Sequence, residues 1–354
     1  GLCLIRLFIF EKDFSLKKLP VRIAVLVYGV AVLISCILSK QPLYSLRESI
    51  RVLPYVIIFI CFPMVFRKGD SGKIRIAAVA AGFIAAFYGL AQYFDYDFLR
   101  RWFPYAITFD SARSSIISTM GNPEYLGSYL APLVLLCLPA FLKKSRILVR
   151  VVYAVIMIIL LITILLTGSR GPVIGLAAGS LFAGLFIFRQ ASPVVKRRIM
   201  LTGGILLLIM IIFVTIFSFP NKLNPRGQNI IGRFASLFDL QSNSVKERIL
   251  FYVIGSEMIA ENFVFGSGEG MFRVEFYPTL ITLLEKDERA GVDMFIVELK
   301  NRVADNAHND FLQIWIENGL LGFLSFTLAI FLFFGHSITH LRNEKDITQI
   351  HDSE

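Results

Sequence analysis

Long apolar runs restrict the architecture of this chain more strongly than any other feature of its sequence. Eight such runs lie near residues 21–38, 49–66, 74–94, 123–142, 147–167, 172–188, 199–219 and 310–335. Each is close to the roughly 20 residues that a helix needs to cross a bilayer, and all are too uniformly apolar for barrel strands. The sequence therefore predicts an all-α, polytopic helical membrane protein with about eight full transmembrane helices.

The chain opens on a shorter apolar stretch, GLCLIRLFIF, which is typical of the end of a further span. We expect a partial transmembrane helix here and interpret the sequence as a fragment that lacks terminal spans. The hydrophobic fraction of 56% and the mean hydropathy of +0.67 exclude an ordinary soluble domain. The cysteines lie within apolar runs without a C-x-x-C pair, so we expect no disulfide framework.

Lysine and arginine are concentrated in every second connection between these runs. The basic connections lie at 11–18, 67–75, 143–150, 189–198 and 341–346, and the others at 39–48, 95–122, 168–171 and 220–309. By the positive-inside rule, the basic set is cytoplasmic and the other set faces outward. The net charge of +10 therefore reflects topology and gives no reason to expect nucleic acid as a partner.

This topology predicts the domain organisation. We expect membrane helices with short loops over 1–219, a large extracytoplasmic (periplasmic) helical loop over 220–309, a closing transmembrane helix over 310–335 and a cytoplasmic tail over 336–354. Within the large loop, residues 245–263 have helical periodicity. GSGEG at 266–270 then interrupts the chain, and 271–300 favours further helix over the membrane surface.

His308 stands at the start of the last apolar run. Asn309 is a suitable N-cap, so His308 would lie at a helix N-terminus, where free backbone N–H groups favour an anion. Asp310, Gln313 and Glu317 follow on one helical face, which we expect to point into protein rather than lipid because buried carboxylates are costly in a membrane. The alternative is a capped membrane helix with an interfacial histidine.

Arg170 lies in TGSRGP (167–172), which joins two spans through a tight turn. Pro172 fits the first position of the next helix, and Gly168 and Gly171 permit a sharp backbone. Arg170 would then sit at the outer membrane edge beside a helix N-terminus, a good arrangement for phosphate. The alternative is an arginine that reaches the lipid headgroups.

Arg233 and Arg248 belong to the outward-facing segment. Each could be an ordinary surface residue, and Glu247 could neutralise either one. Together with Arg170 and His308, they form an outward-facing cationic set, and arginine is the side chain suited to bidentate phosphate binding.

Glu124 and the pair Asp95 and Asp97 are acidic candidates for further site residues. Glu124 follows the predicted N-cap Asn122 and N1 residue Pro123, where it could stabilise a helix dipole or line a site. Asp95 and Asp97 form a D-x-D pair that could bind a divalent cation, although aromatic and acidic residues are common at membrane helix ends. No His/Cys cluster has zinc spacing, and we expect no metal site.

Several motifs together resemble the O-antigen ligase and O-antigen polymerase superfamily. They are TGSRGP closing one span, GNPEYLGSYL opening another, and AHNDFLQIWIENGLLG closing the outer loop. Within that loop, GRF and KERILFYVIGSEMIAENFVFGSGEGMF resemble the family's pattern of arginines followed by a glycine-rich turn. The resemblance covers about 118 to 335. Family members usually have about a dozen spans, which agrees with missing termini.

The resemblance implies a bacterial glycosyltransferase that takes a glycan from an undecaprenyl diphosphate carrier. The acceptor would be lipid A–core, another glycan or a protein hydroxyl, so ligase, polymerase and protein O-oligosaccharyltransferase activities all stay open. Arg170, Arg233 and Arg248 would hold the diphosphate, and His308 would orient or deprotonate the acceptor hydroxyl. Supporting residues would be Asn309, Glu317 and Glu124. No nucleotide or other cofactor is expected.

Two other classes of protein were considered. A transporter or flippase for lipid-linked sugars would place polar groups near the bilayer midplane, whereas here the candidate residues cluster at one face. A sensor or scaffold is compatible with the composition but not with the family motifs. The resemblance places the protein in the bacterial inner (plasma) membrane, with its catalytic face outside the cytoplasm.

Overall fold

A computed structural model describes residues 20–65, 70–99, 116–142, 146–190, 193–219, 221–224, 227, 229–235, 243–285 and 305–343. Within these ranges the secondary structure is helical, without strands. In chain order the α-helices are α1 (Pro20–Leu38), α2 (Pro42–Glu48), α3 (Leu53–Val65), α4 (Ser71–Tyr93), α5 (Pro123–Cys137), α6 (Pro139–Leu142), α7 (Ile147–Leu166), α8 (Arg170–Gln190), α9 (Pro193–Ile216), α10 (Ile230–Ala235), α11 (Asn243–Glu261), α12 (Met271–Glu285) and α13 (Asp310–Asn343).

Four of the described helices are long and apolar enough to cross a membrane: α1, α4, α7 and the part Asp310–Thr339 of α13. The predicted all-helical membrane architecture is therefore confirmed for the described residues. Every predicted span overlaps a helix, but the number of about eight crossing helices stays a prediction. The region near the second span differs most, because α3 has only 13 residues and α2 occupies the predicted loop 39–48.

The chain divides into two compact units. The first unit comprises Gly1–Lys68 with Asp239–Asn343, and the second comprises Gly69–Phe238 with Glu344–Glu354. This division concerns packing, whereas the predicted division into membrane helices, outer loop and tail concerns the bilayer and stays a prediction.

In the first unit, α13 packs along α1, where the rings of Tyr28 and Phe326 lie 5.5 Å apart. The helices α11 and α12 pack on each other and on the start of α13. Their shared core consists of Leu250, Phe251, Ile254, Met258, Phe272, Phe276, Leu280, Leu283, Ala307 and Ile316. Two helices of the predicted outer loop, α11 and α12, thus form a packed helical body with the start of α13, whereas α10 belongs to the second unit.

The helix α13 bends at Gly319, which has φ of +66° and ψ of −170°. The residues 266–270, called here the glycine turn, fit against this bend. Backbone N–H groups of Ser267 and Gly268 donate to the carbonyls of Ile316 (2.9 Å) and Glu317 (2.8 Å). A side chain on Gly319 would collide with the Val264 backbone carbonyl. The glycine turn and the α13 segment around Gly319 therefore pack backbone against backbone.

In the second unit, α5 packs against α4, α7 and α8. A Cβ on Gly127 would lie 2.6 Å from Pro172, so glycine allows α5 and α8 to approach closely. The residues after α9 are tied back to α4, because the Tyr93 hydroxyl donates to Asn224 Oδ1 at 2.8 Å. The close approach at Gly127 fixes the start of α8, where Arg170 lies.

Candidate functional site

His308 lies just before α13 in a left-handed backbone conformation, with φ of +52°. Such a conformation costs a non-glycine residue about 1–3 kcal/mol and persists where surrounding contacts hold it in place. The imidazole is exposed and stacks on Phe251 of α11, with ring centroids 5.7 Å apart and planes at 15°. The strained turn thus presents the imidazole at the surface on an aromatic support.

Asn309 is the N-cap of α13, as predicted. Its Oδ1 accepts hydrogen bonds from the N–H groups of Phe311 (3.0 Å) and Leu312 (3.3 Å). Its Nδ2 donates to the Tyr252 hydroxyl at 2.9 Å. The cap therefore occupies two of the N–H groups at this helix start, where an anion is expected from the sequence.

Arg248 is exposed on α11, three residues before Phe251 and four before Tyr252. Residues three and four apart lie on one helical face, so Arg248 shares the face that contacts His308 and Asn309. The first unit thus brings the candidate base, its neighbour and one candidate phosphate-binding arginine to one side of α11.

Glu317 is buried, with only 2% of its surface exposed. Its Oε1 accepts from the Phe272 N–H at 3.2 Å, and the Gly270 N–H also donates to this carboxyl group. Gly270 and Phe272 lie at the start of α12, where backbone N–H groups have no partner within the helix. The Glu317 carboxyl group accepts from these N–H groups. Asp310 and Gln313 were predicted to share a helical face with Glu317. Gln313 is half-buried and donates to Glu317 at 3.3 Å, whereas Asp310 is exposed.

Glu269, in the glycine turn, was not among the predicted site residues. It accepts from Asn318 Nδ2 at 3.2 Å, and Asn318 Oδ1 accepts from the Ser35 hydroxyl at 3.1 Å. Burial raises the pKa of the Glu269 carboxyl group, and the nearby Glu48 carboxylate raises it further. The one local signal for this network is an acidic residue inside a glycine-rich turn.

In the second unit, Arg170 is half-buried in the first turn of α8. The sequence placed it in the connecting turn, with Pro172 as the first helical residue, and this was wrong by two positions. Gly168 supplies the sharp backbone, with φ of +67°, whereas Gly171 is already helical. Because the helix begins two residues earlier than predicted, the Arg170 side chain is anchored on regular helix.

Glu124 lies beside this helix start. Its backbone N–H donates to Oδ1 of the N-cap Asn122 at 2.7 Å, which confirms the predicted cap. A Cβ on Gly171 would lie 3.5 Å from Glu124 Oε1, so the carboxylate of α5 reaches the first turn of α8. The candidate residue Glu124 therefore lies next to the helix turn that carries Arg170.

Two further predictions have different outcomes. Arg233 belongs to α10, but its side chain lies outside the described residues, so its role stays a prediction. Asp97 accepts hydrogen bonds from the Tyr88 hydroxyl and, at 3.2 Å, from Gln92 Nε2 of α4. Both of its carboxylate oxygens therefore have protein donors, as expected for a loop residue fixed to its helix. The described residues contain no group of three or more potential metal ligands.

Comparison with known proteins places these observations in a family. Searches of the curated proteins and of the solved structures returned no match. A family model described as O-antigen ligase matches residues 152–327, which include Arg170, Arg233, Arg248, His308 and Glu317 but not Glu124. The chain therefore belongs to the O-antigen ligase and polymerase superfamily, whose members are glycosyltransferases acting on lipid-linked glycans in a membrane.

Proposed function

We propose that this protein is an O-antigen ligase-like glycosyltransferase. It moves a glycan from undecaprenyl diphosphate to an acceptor hydroxyl, of lipid A–core or a similar molecule, on the outer face of the bacterial inner membrane. The observation that carries the proposal is the position of His308, which is exposed on a strained turn and supported by the helix that carries Arg248.

In this reaction His308 acts as the general base. It takes the proton of the acceptor hydroxyl while the oxygen attacks the anomeric carbon of the donor sugar. The bond between that carbon and the diphosphate oxygen breaks, and the diphosphate leaves with the electron pair. Histidine suits this role because its ordinary pKa range includes physiological pH.

The arginines bind the donor in this proposal. Arg170, Arg233 and Arg248 compensate the charge of the diphosphate, which grows on the leaving oxygen as the bond breaks. Arginine stays protonated at every working pH and can hold two phosphate oxygens at once. The glycosyl diphosphate stores the energy of transfer, so the proposal includes neither a nucleotide nor a metal ion.

Replacement of His308 tests the proposed base. We expect His308→Ala to lower transfer from an undecaprenyl diphosphate-linked glycan by roughly 10²–10⁴-fold. Donor binding, measured separately on the purified protein, should change little. His336→Ala is the matched control, because His336 is an exposed histidine on α13, the helix that follows His308. Near wild-type transfer by His308→Ala would show that His308 is only a helix-end residue.

Charge-conserving changes test the arginines in the same two assays. Arg170→Lys and Arg248→Lys should each weaken donor binding by about tenfold, because lysine lacks the planar fork of arginine. Arg273→Lys is the control, since Arg273 is exposed and paired with Asp305 at 3.1 Å. If His308→Ala abolishes donor binding and Arg170→Lys does not, the roles are reversed.

The two main activities of the superfamily differ in what accumulates in a deletion strain. Loss of a ligase leaves long glycan chains on the carrier lipid, whereas loss of a polymerase leaves single repeat units on the final acceptor. Analysis of surface and lipid-linked glycans in the source bacterium therefore separates them, and the proposal expects the first pattern. Transfer to protein hydroxyls would show a protein O-oligosaccharyltransferase.

A further inference from the structure

The side-chain amide of Gln313 connects two parts of the first unit. Its Oε1 accepts from the backbone N–H of Ala307 at 3.1 Å, and its Nε2 donates to Glu317 Oε1 at 3.3 Å. The same Nε2 lies 3.4 Å from Asn306 Oδ1. An amide has both an acceptor and a donor end, so Gln313 can hold these two partners at once.

The Glu317 end of this connection is fixed. The carboxyl group is buried, and backbone N–H groups of Gly270 and Phe272 donate to it from the start of α12. Backbone donors of a packed helix cannot turn away, and Phe272 is itself completely buried. Glu317 therefore offers Gln313 a stationary acceptor.

The other end is the backbone N–H of Ala307, the residue before His308. Ala307 is buried, with 3% of its surface exposed, whereas His308 adopts the left-handed backbone described above. A strained conformation persists only where neighbouring groups over-determine it. The hydrogen bond from the Ala307 N–H to Gln313 fixes the backbone just before His308, and the Asn309 cap fixes the backbone just after it.

The imidazole ring is connected to the same helix start by packing. Phe251, on which His308 stacks, also contacts Phe272 edge to face, with ring centroids 6.0 Å apart. One path thus runs from Glu317 through Gln313 to the backbone of His308, and another runs from Glu317 through Phe272 and Phe251 to its ring. The two paths close a ring of contacts around His308.

We propose that Gln313 is a positioning residue for His308, because it connects the fixed Glu317 carboxyl group to the backbone of Ala307, the residue before His308. This inference rests on the proposed function, in which His308 deprotonates the acceptor. Gln313 does not touch the substrate, so its loss changes the turnover of bound donor and not the binding of donor.

The first test is Gln313→Leu, which keeps the side-chain size but removes both ends of the amide. We expect kcat to fall by about 10–100-fold, as for other residues that orient a functional group, with little change in KM for the donor. The Ala307 N–H should lose its protection in hydrogen exchange. Asp305→Asn is the control, because it breaks only the exposed ion pair that holds the same segment to Arg273.

A reversed pair gives a sharper test. Gln313→Glu alone places two carboxyl groups in contact and removes the donor, so it should lower kcat at least as much as Gln313→Leu. Adding Glu317→Gln removes the contact between two carboxylates, because the new amide donates to the carboxylate at 313, which accepts from Ala307. The amide oxygen still offers an acceptor to α12. We expect kcat and the protection of Ala307 to recover in the double variant, which is a non-additive result.

The outcomes separate this inference from the proposed function. Full kcat in Gln313→Leu, or a double variant no better than the product of its single changes, would overturn the positioning role even if His308→Ala is inactive. If His308→Ala keeps its activity, the proposed function fails. The exchange of the Ala307 N–H then still reports whether Gln313 holds this turn, and unchanged exchange in Gln313→Leu would overturn the connection itself.

Discussion

At the residue scale, the Glu269 carboxyl group stands out because it lies in a turn that is packed against a helix bend. Its pKa is raised by burial, so the folded protein binds a proton there at pH values where the unfolded chain has released it. Stability should therefore be highest below the unfolded pKa of glutamic acid, near 4.3, and fall as the pH rises towards the folded pKa.

The raised pKa of Glu269 predicts the effect of Glu269→Gln on stability. The amide keeps the acceptor for Asn318 but carries no charge, so it should raise the thermal unfolding temperature of the detergent-solubilised protein at pH 7. The gain should shrink as the pH is lowered towards 4. Glu285→Gln, at an exposed position of α12, is the control and should have little effect. An equal gain at pH 7 and pH 4 would contradict the explanation.

Residue-level predictions from the sequence were correct where the interaction is local. The caps Asn309 and Asn122 bond to N–H groups two or three residues away, and such contacts can be inferred from residue type and order. The stacking of His308 on Phe251 joins residues far apart in the chain and leaves no local pattern. The same holds for the hydrogen bond between Glu317 and Phe272.

At the element scale, apolar length predicted where helices occur but not how α13 is interrupted. An unbroken run of apolar residues predicts one continuous helix, and a single glycine within it is ordinary in a membrane span. The bend at Gly319 becomes evident only when the glycine turn is placed beside it, because the carbonyls of Ile316 and Glu317 accept from that turn. From the sequence alone, GSGEG predicts only an interruption of the helix.

Two glycines of α13 provide a matched pair of substitutions. Gly319→Ala should destabilise the protein by about 2 kcal/mol or more, because alanine disfavours positive φ and its Cβ would meet the Val264 carbonyl. Gly335→Ala, with open space around the position, should be neutral or stabilising by up to about 1 kcal/mol. Thermal unfolding in detergent measures both. Equal effects would mean that the bend carries no strain.

At the scale of the whole molecule, topology is the main prediction from the sequence. Charge asymmetry between loops predicts which side each loop faces, and helix packing does not determine it. Ser256→Cys, at an exposed position on α11, should react with a membrane-impermeant thiol reagent in intact spheroplasts. Ser71→Cys, at the exposed start of α4 in a basic loop, should react only after lysis. The parent chain controls for its own cysteines, and the reverse pattern would overturn the topology.

The bend in α13 also has a consequence for depth in the bilayer. A straight helix of 34 residues measures about 50 Å, which exceeds a hydrocarbon core of about 30 Å. The part from Leu320 to Thr339 is alone about 30 Å long and matches that thickness. With this part in the hydrocarbon, Glu317 and Asn318 lie in the headgroup zone. Gly319 then marks the membrane boundary, and the helical segment 310–318 between it and His308 is about 14 Å long.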